Sequence, residues 1–156
     1  MSLVTLSSLQ RMQATQLADM MLAVQAAGLN SDTSKIAVVD VRDDDYIGGH
    51  IHGSINIPSR SLDAMMPTLL RKLEGKETVV FHCALSQQRG PSAALRYMRE
   101  KEAADSASKT KNPDAEAQQQ PQTVYILDRG FVGWQEKYGP DERLTEAYRK
   151  EIWEDY

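Results

Sequence analysis

Glu77-Thr78-Val79-Val80-Phe81-His82-Cys83-Ala84-Leu85-Ser86-Gln87-Gln88-Arg89-Gly90-Pro91 is the stretch on which the reading of this chain turns. Residues Glu77 to His82 form a short, mostly apolar and β-branched run, the pattern of a buried strand. The strand runs directly into Cys83. Gly90-Pro91 then opens a helix carrying Ala93, Ala94, Leu95 and Met98, because proline suits a first helical turn. Free backbone N–H groups point outward where a strand ends and a helix begins, so the intervening loop is suited to an anion. The same surroundings favour a cysteine thiolate over the thiol.

Arg89 stands at the far end of that loop, where its planar guanidinium can grip two oxygens of an oxyanion. Ser86 is placed to steady the thiolate or to donate to the bound anion. Ala84, Leu85, Gln87, Gln88 and Gly90 complete the cradle. Taken singly, each residue has an ordinary explanation: a buried apolar cysteine, a surface arginine, a turn serine. The combination His-Cys-x-x-Ser-x-x-Arg-Gly-Pro behind a hydrophobic strand is far more specific than any member, and it points to Cys83 as a nucleophile. His82 is expected to face away from the substrate and orient the loop through hydrogen bonds.

Working outward, Leu9 to Gln13 reads as a short strand. Thr15 is the expected N-cap of a helix from Gln16 to about Ala27, closed by Gly28. Ile36 to Val41 is a second buried strand, and Asp40 at its end is expected to support the cysteine loop. Leu62 to Leu73 has helical spacing with a kink at Pro67. Thr123 to Leu127 is a strand, and Arg129-Gly130-Phe131 leads into a short helix ending near Gly139. Asp141 to Tyr156 reads as a C-terminal helix. Ala103 to Gln122 is polar and low in complexity, and reads as a flexible insertion. Alternating strands and helices imply an α/β domain with a mostly parallel sheet covered on both faces.

The length of 156 residues fits a single domain, 1–156, with the insertion at 103–122. A net charge of -4 argues against nucleic-acid binding. No apolar run reaches the roughly 18 residues that span a bilayer, so no membrane association is expected. The N-terminus lacks a secretory layout, and the single cysteine excludes an internal disulfide and a cysteine-rich metal site. A cytoplasmic or nuclear setting follows as the expectation. Oligomeric state is not legible.

Val39-Asp40-Val41-Arg42, Asp45-Tyr46, Gly48-Gly49-His50-Ile51 and Gly53-Ser54-Ile55-Asn56-Ile57-Pro58 resemble the first signature of the rhodanese fold. Leu127-Asp128-Arg129-Gly130-Phe131 and Trp134 resemble its closing signature. The resemblance runs from about Leu9 to Tyr138. It implies a rhodanese-like α/β fold, and structural or supporting roles for Asp40, Arg42, Asp45 and His50 rather than acid–base ones. His52 reads as a loop residue, Phe131 and Trp134 as core, and Arg143, Arg149 and Lys150 as a solvated face.

Sulfurtransferase rhodaneses carry a cysteine loop one residue shorter. The longer loop resembles that of the cell-cycle dual-specificity phosphatases and of the eukaryotic arsenate reductases, with small fungal phosphatase-like proteins beside them. A wider ring of N–H groups suits phosphate or arsenate. The resemblance implies a cysteine-dependent phosphatase, protein-tyrosine or dual-specificity in type, working through a cysteinyl-phosphate without a cofactor on a phosphorylated protein or small oxyanion. The alternatives are an arsenate reductase using glutathione and glutaredoxin, then a sulfurtransferase or a non-catalytic phosphoprotein-binding module. The cell-cycle phosphatases have acidic residues in the loop and a second protective cysteine. Here there is no loop acid and one cysteine, so the general acid is unassigned. The thiolate is expected to be exposed and easily oxidised.

Overall fold

The computed structural model describes residues 9–111 and 122–154. Five short segments line up as one sheet: β1 (Gln10–Met12), β2 (Ile36–Asp40), β4 (Ile55–Asn56), β5 (Thr78–His82) and β6 (Thr123–Leu127). Their order is β1-β6-β5-β2-β4, and every pairing is parallel. Parallel strands require covered crossovers, and α1 (Ala14–Ala26), α2 (Leu62–Lys72) and α3 (Arg89–Lys111) supply them, while α4 (Gly130–Tyr138) follows the last strand of the sheet. One turn of 3-10 helix, Ser59–Ser61, precedes α2.

The strict alternation of side chains along each strand divides the core in two. Val39, Val79, Phe81, Val124 and Ile126 pack with Leu62, Met66 and Leu69 of α2 and Ala93, Ala94 and Tyr97 of α3. Val38, Val80 and Leu127 pack on the other side with Leu17, Ala18 and Met21 of α1 and with Phe131 and Trp134 of α4. Both faces of the sheet are thereby covered. β2 and β5, buried from their second residue onward, have the near-continuous apolar composition that this requires. No helix among the described residues is long and apolar enough to cross a membrane.

Four expectations need correction. Helix α1 begins at Ala14 with Gln13 as its cap residue, so Thr15 lies inside the first turn and does not cap. Gly28, at φ +76°, does close it. The segment after Asp141 is not a continuous helix. It makes β7 (Thr145–Glu146), antiparallel to β3 (His50–Ile51), and only a short α5 (Lys150–Trp153). Tertiary bonds outweigh helix propensity there: Trp134 Nε1 donates to Thr145 Oγ1 at 3.0 Å, and Trp153 Nε1 donates to the Gly48 carbonyl at 2.9 Å.

The third correction concerns Ala103 to Gln122. Helix α3 continues through Lys111, and Lys101 pairs with Asp105 one turn on at 2.8 Å. Alanine and lysine are strong helix formers, and a polar helix needs no core. At the other end, Gln122 donates to the carbonyls of Leu73 and Lys76 and accepts from the Tyr97 hydroxyl at 2.6 Å. Residues 112–121 of that stretch lie outside the described residues. The fourth correction is that β3 and β4, two residues each, were not distinguished from loop. Strands this short carry no periodicity to read.

Candidate active site

The parallel sheet places the C-terminal ends of β2 and β5 side by side, with Asp40 opposite His82 in register. The cysteine loop therefore emerges beside the segment that follows β2, at the sheet edge where open α/β folds hold their ligands. Cys83 stands one residue past β5 and is only 3% exposed, at the floor of the loop. The expectation of an exposed thiol is corrected: packing against the core cluster around Ala93 and Ala94 covers it. The backbone N–H of Gly90 points at its sulfur, 3.3 Å away. A Cβ at Gly90 would lie 3.3 Å from the Cys83 backbone nitrogen, a tight contact.

The loop is pinned from several sides. The carbonyls of Cys83 and Ala84 accept from the N–H groups of Phe131 (3.0 Å) and Val132 (2.9 Å) at the start of α4. Ser86 adopts a left-handed backbone, φ +56°, uncommon for a residue with a Cβ. Its carbonyl accepts from Arg11 Nη2 at 3.1 Å, and Arg11 is itself paired with Asp128. The Ser86 hydroxyl is fully buried and has no hydrogen-bond partner among the described residues, so it is not bonded to the thiol. Leu85 is 41% exposed at the loop's rim.

Beneath the loop lies a buried ionic hub. Arg42 and Asp40 are both fully buried and form a two-pronged pair, Nε and Nη2 each bonding a carboxylate oxygen at 2.8 to 3.1 Å. The guanidinium also donates to the carbonyls of Gly49 and Ile47 and sits 4.3 Å from the Phe131 ring centroid. His82 lies 3.7 Å from Asp40, and its Nδ1 is 3.1 Å from the Cys83 carbonyl. That contact requires the proton on Nδ1. Burial pushes the His82 imidazole below its ordinary pKa, against the pull of Asp40. His82 is therefore a neutral, buried group that touches the loop at the Cys83 carbonyl, with Asp40 beside it.

Arg89 opens α3 and reaches across to the segment after β2. Its Nη1 and Nη2 bond Asp45 Oδ1 and Oδ2 at 2.7 and 2.6 Å, and Nη1 also bonds Asp43 Oδ2 at 3.2 Å. These carboxylates raise the pKa of Arg89 above its already high value. In return Arg89 helps hold both carboxyls below the usual range, and bonds from Ser59 and the Arg60 N–H do the same for Asp43. Asp43 and Arg11 went unrecognised in the sequence. An acidic run directly after a strand that neighbours the cysteine strand was the available signal for Asp43. Nothing local marks Arg11, which β1 brings to the loop by pairing with β6.

His50 and His52 face Glu146 of β7, at 3.6 and 2.9 Å. Phe131 and Trp134 are wholly buried, as expected of core residues. Arg143 pairs with Asp141 and Arg149 with Glu151, as an ordinary solvated surface does.

A five-stranded parallel sheet with a cysteine loop at the C-terminal end of its central strand, closed by a helix, defines a rhodanese-type domain. The sequence profile of the rhodanese-like domain matches residues 23–137, and the chain belongs to that family. Arsenate reductase 2.2 of Oryza sativa is 42% identical over 114 residues, covering 72% of this chain and 79% of the relative. The dual specificity phosphatase ibp1 of Schizosaccharomyces pombe is 36% identical over 121 residues, covering 76% and 88%. A solved structure of a yeast protein tyrosine phosphatase of the rhodanese family superposes with a TM-score of 0.67 at 32% identity, over 96% of this chain and 99% of that one.

Proposed function

We propose that this protein is a cysteine-dependent phosphatase of the protein-tyrosine or dual-specificity type. One observation carries the reading: the loop from Cys83 to Arg89 joins the end of β5 to the start of α3, with the Gly90 N–H on the sulfur and a guanidinium fixed at the loop's far end. In the proposed reaction the Cys83 thiolate attacks phosphorus, the S–P bond forms as the P–O bond to the leaving group breaks, and water then releases phosphate. Loop N–H groups and Arg89 take up the charge on the equatorial oxygens. His82, Asp40 and the loop residues Ala84 to Gln88 hold this geometry. The similarity to a named dual specificity phosphatase and to a yeast protein tyrosine phosphatase supports the class.

The leaving group narrows the substrate. The carboxylates that reach Arg89 are held low and remain ionised at neutral pH, so they have no proton to give. A phenol, with a pKa near 10, departs as its anion more readily than an aliphatic alcohol. Phosphotyrosine-type esters on a protein are accordingly the proposed substrates. A reducing compartment, cytoplasm or nucleus, would keep the single thiol available.

The second reading is arsenate reduction, favoured by the 42% identity to the rice enzyme and by a loop without acids. Cys83 is the only cysteine, so the thiol that completes such a reduction must come from outside, from glutathione and a glutaredoxin. The test is a two-armed assay of the purified protein: an aryl phosphate in a non-thiol reductant, and arsenate with glutathione and glutaredoxin. Vanadate-sensitive hydrolysis in the first arm is the expected result. Silence there with turnover in the second would replace the phosphatase reading with the reductase one.

A further inference from the structure

The bonds made by Arg89 are more informative than its presence in the loop. A guanidinium carries five N–H donors in one plane. Asp45 takes one from each terminal nitrogen, Nη1 at 2.7 Å and Nη2 at 2.6 Å, and so meets the group end-on. Asp43 takes a further contact on Nη1 at 3.2 Å. Among the described residues nothing accepts from Nε, and Nη2 has no acceptor besides Asp45. The Nε–H and the outer Nη2–H lie side by side along one edge of the plane, the edge that meets a tetrahedral oxyanion with two parallel hydrogen bonds.

The two carboxylates are themselves anchored. Asp43 accepts from the Ser59 hydroxyl at 2.6 Å and from the Arg60 N–H at 3.1 Å. Asp45 Oδ1 accepts from the Asp43 N–H at 2.9 Å. The turn before α2 and the segment after β2 thereby become a bracket around the arginine at the start of α3.

We propose that Asp45, braced by Asp43, is a positioning residue that fixes the plane of Arg89 and presents its open Nε/Nη2 edge to the oxyanion. The inference rests on the oxyanion reading of the cysteine loop but not on which oxyanion is the substrate. It opposes the simpler view that two carboxylates on the arginine compete with an anion for it. Misplacing a catalytic group by about 1 Å costs on the order of a hundredfold in rate, so the two views predict effects of opposite sign.

The experiment compares wild type with Asp45→Asn, Asp45→Glu and Asp43→Asn. It measures tungstate binding by calorimetry and kcat and KM on an aryl phosphate. Asp45 is 43% exposed on its side chain, so its two substitutions should leave the melting temperature nearly unchanged. Asp45→Asn is expected to weaken tungstate binding and lower kcat by roughly tenfold to a hundredfold. Asp45→Glu should recover part of both, and Asp43→Asn should show a smaller loss. Tungstate bound equally or more tightly by Asp45→Asn would overturn the proposal in favour of competition, and so would a wild type that binds no tungstate. A wild type that binds tungstate but hydrolyses no ester would sink the phosphatase reading alone, and the binding comparison would still decide on Asp45.

Discussion

His82 shows how much one side chain reports about its surroundings. It is wholly buried between Asp40 and the Cys83 carbonyl, and burial lowers its pKa. A histidine whose folded pKa lies below the unfolded value of about 6.5 binds its proton more readily in the unfolded chain. Its neutral form therefore contributes stability that is fully present above pH ~6.5 and is lost as pH falls toward the folded pKa. Asp43 and Asp45, held low, lose theirs only in the more acid carboxylate range. Denaturant unfolding of wild type should accordingly show a decline in stability as pH falls below about 6.5. In His82→Asn, which keeps a donor for the Cys83 carbonyl, that decline should largely disappear. An unchanged slope would mean that His82 is not the titrating group.

At this scale the sequence was informative about identity and less so about partners. Cys83, Arg89, His82 and Asp40 stood out in the sequence because each belongs to a compact motif or ends a strand beside one. The bonds of Arg89 to Asp43 and Asp45 were not, since they join residues more than forty positions apart. A buried Ser86 hydroxyl without a partner is likewise a product of loop geometry. No rule of composition reaches it.

Among elements, the junction of α4 with the cysteine loop has the least freedom. Gly130 has φ +56°, and a Cβ there would lie 2.5 Å from the Ala84 carbonyl and 2.6 Å from that of Cys83. Both obstacles are backbone, and both carbonyls are already bonded to the start of α4. Gly130→Ala must therefore push the loop and the helix apart. The expected result is a destabilisation of more than about 1 kcal/mol, the usual limit for a glycine change that fits its site. A fall in turnover should accompany it. A variant of wild-type stability and activity would show that the loop is not pinned from α4.

The same junction explains which elements the sequence made legible. Strands β2, β5 and β6 and helices α2 and α4 follow from apolar periodicity and were read to within a few residues. The C-terminal segment was misread because Thr145 and Trp153 are held by distant partners, Trp134 and the Gly48 carbonyl. Helix α3 was cut short because polar, low-complexity composition marks a lack of core, not a lack of helix. An i, i+4 pair such as Lys101–Asp105 can carry a solvated helix onward.

For the whole molecule, the parallel sheet does two things at once. Its two covered faces bury apolar side chains on both sides, which contributes much of the fold's stability. Its C-terminal edge gathers the cysteine loop, the acidic segment after β2 and the start of α4, from three separate stretches of chain. The Asp40–Arg42 pair is fully buried beneath them and ties that edge to the core. Removing one partner of such a pair typically costs about 3 to 5 kcal/mol, because the other charge is left buried and uncompensated. The alternation of strands and helices predicted the parallel sheet, but not which segments meet at its edge.

The proposed reaction turns on a bond between the Cys83 sulfur and phosphorus. The most direct measurement is mass spectrometry of protein quenched in acid during turnover of an aryl phosphate in a non-thiol reductant. The account predicts a phosphoryl adduct on the peptide containing Cys83, absent without substrate, with both adduct and turnover lost in a folded Cys83→Ser variant. Aryl phosphate hydrolysis that persists in Cys83→Ser would contradict it.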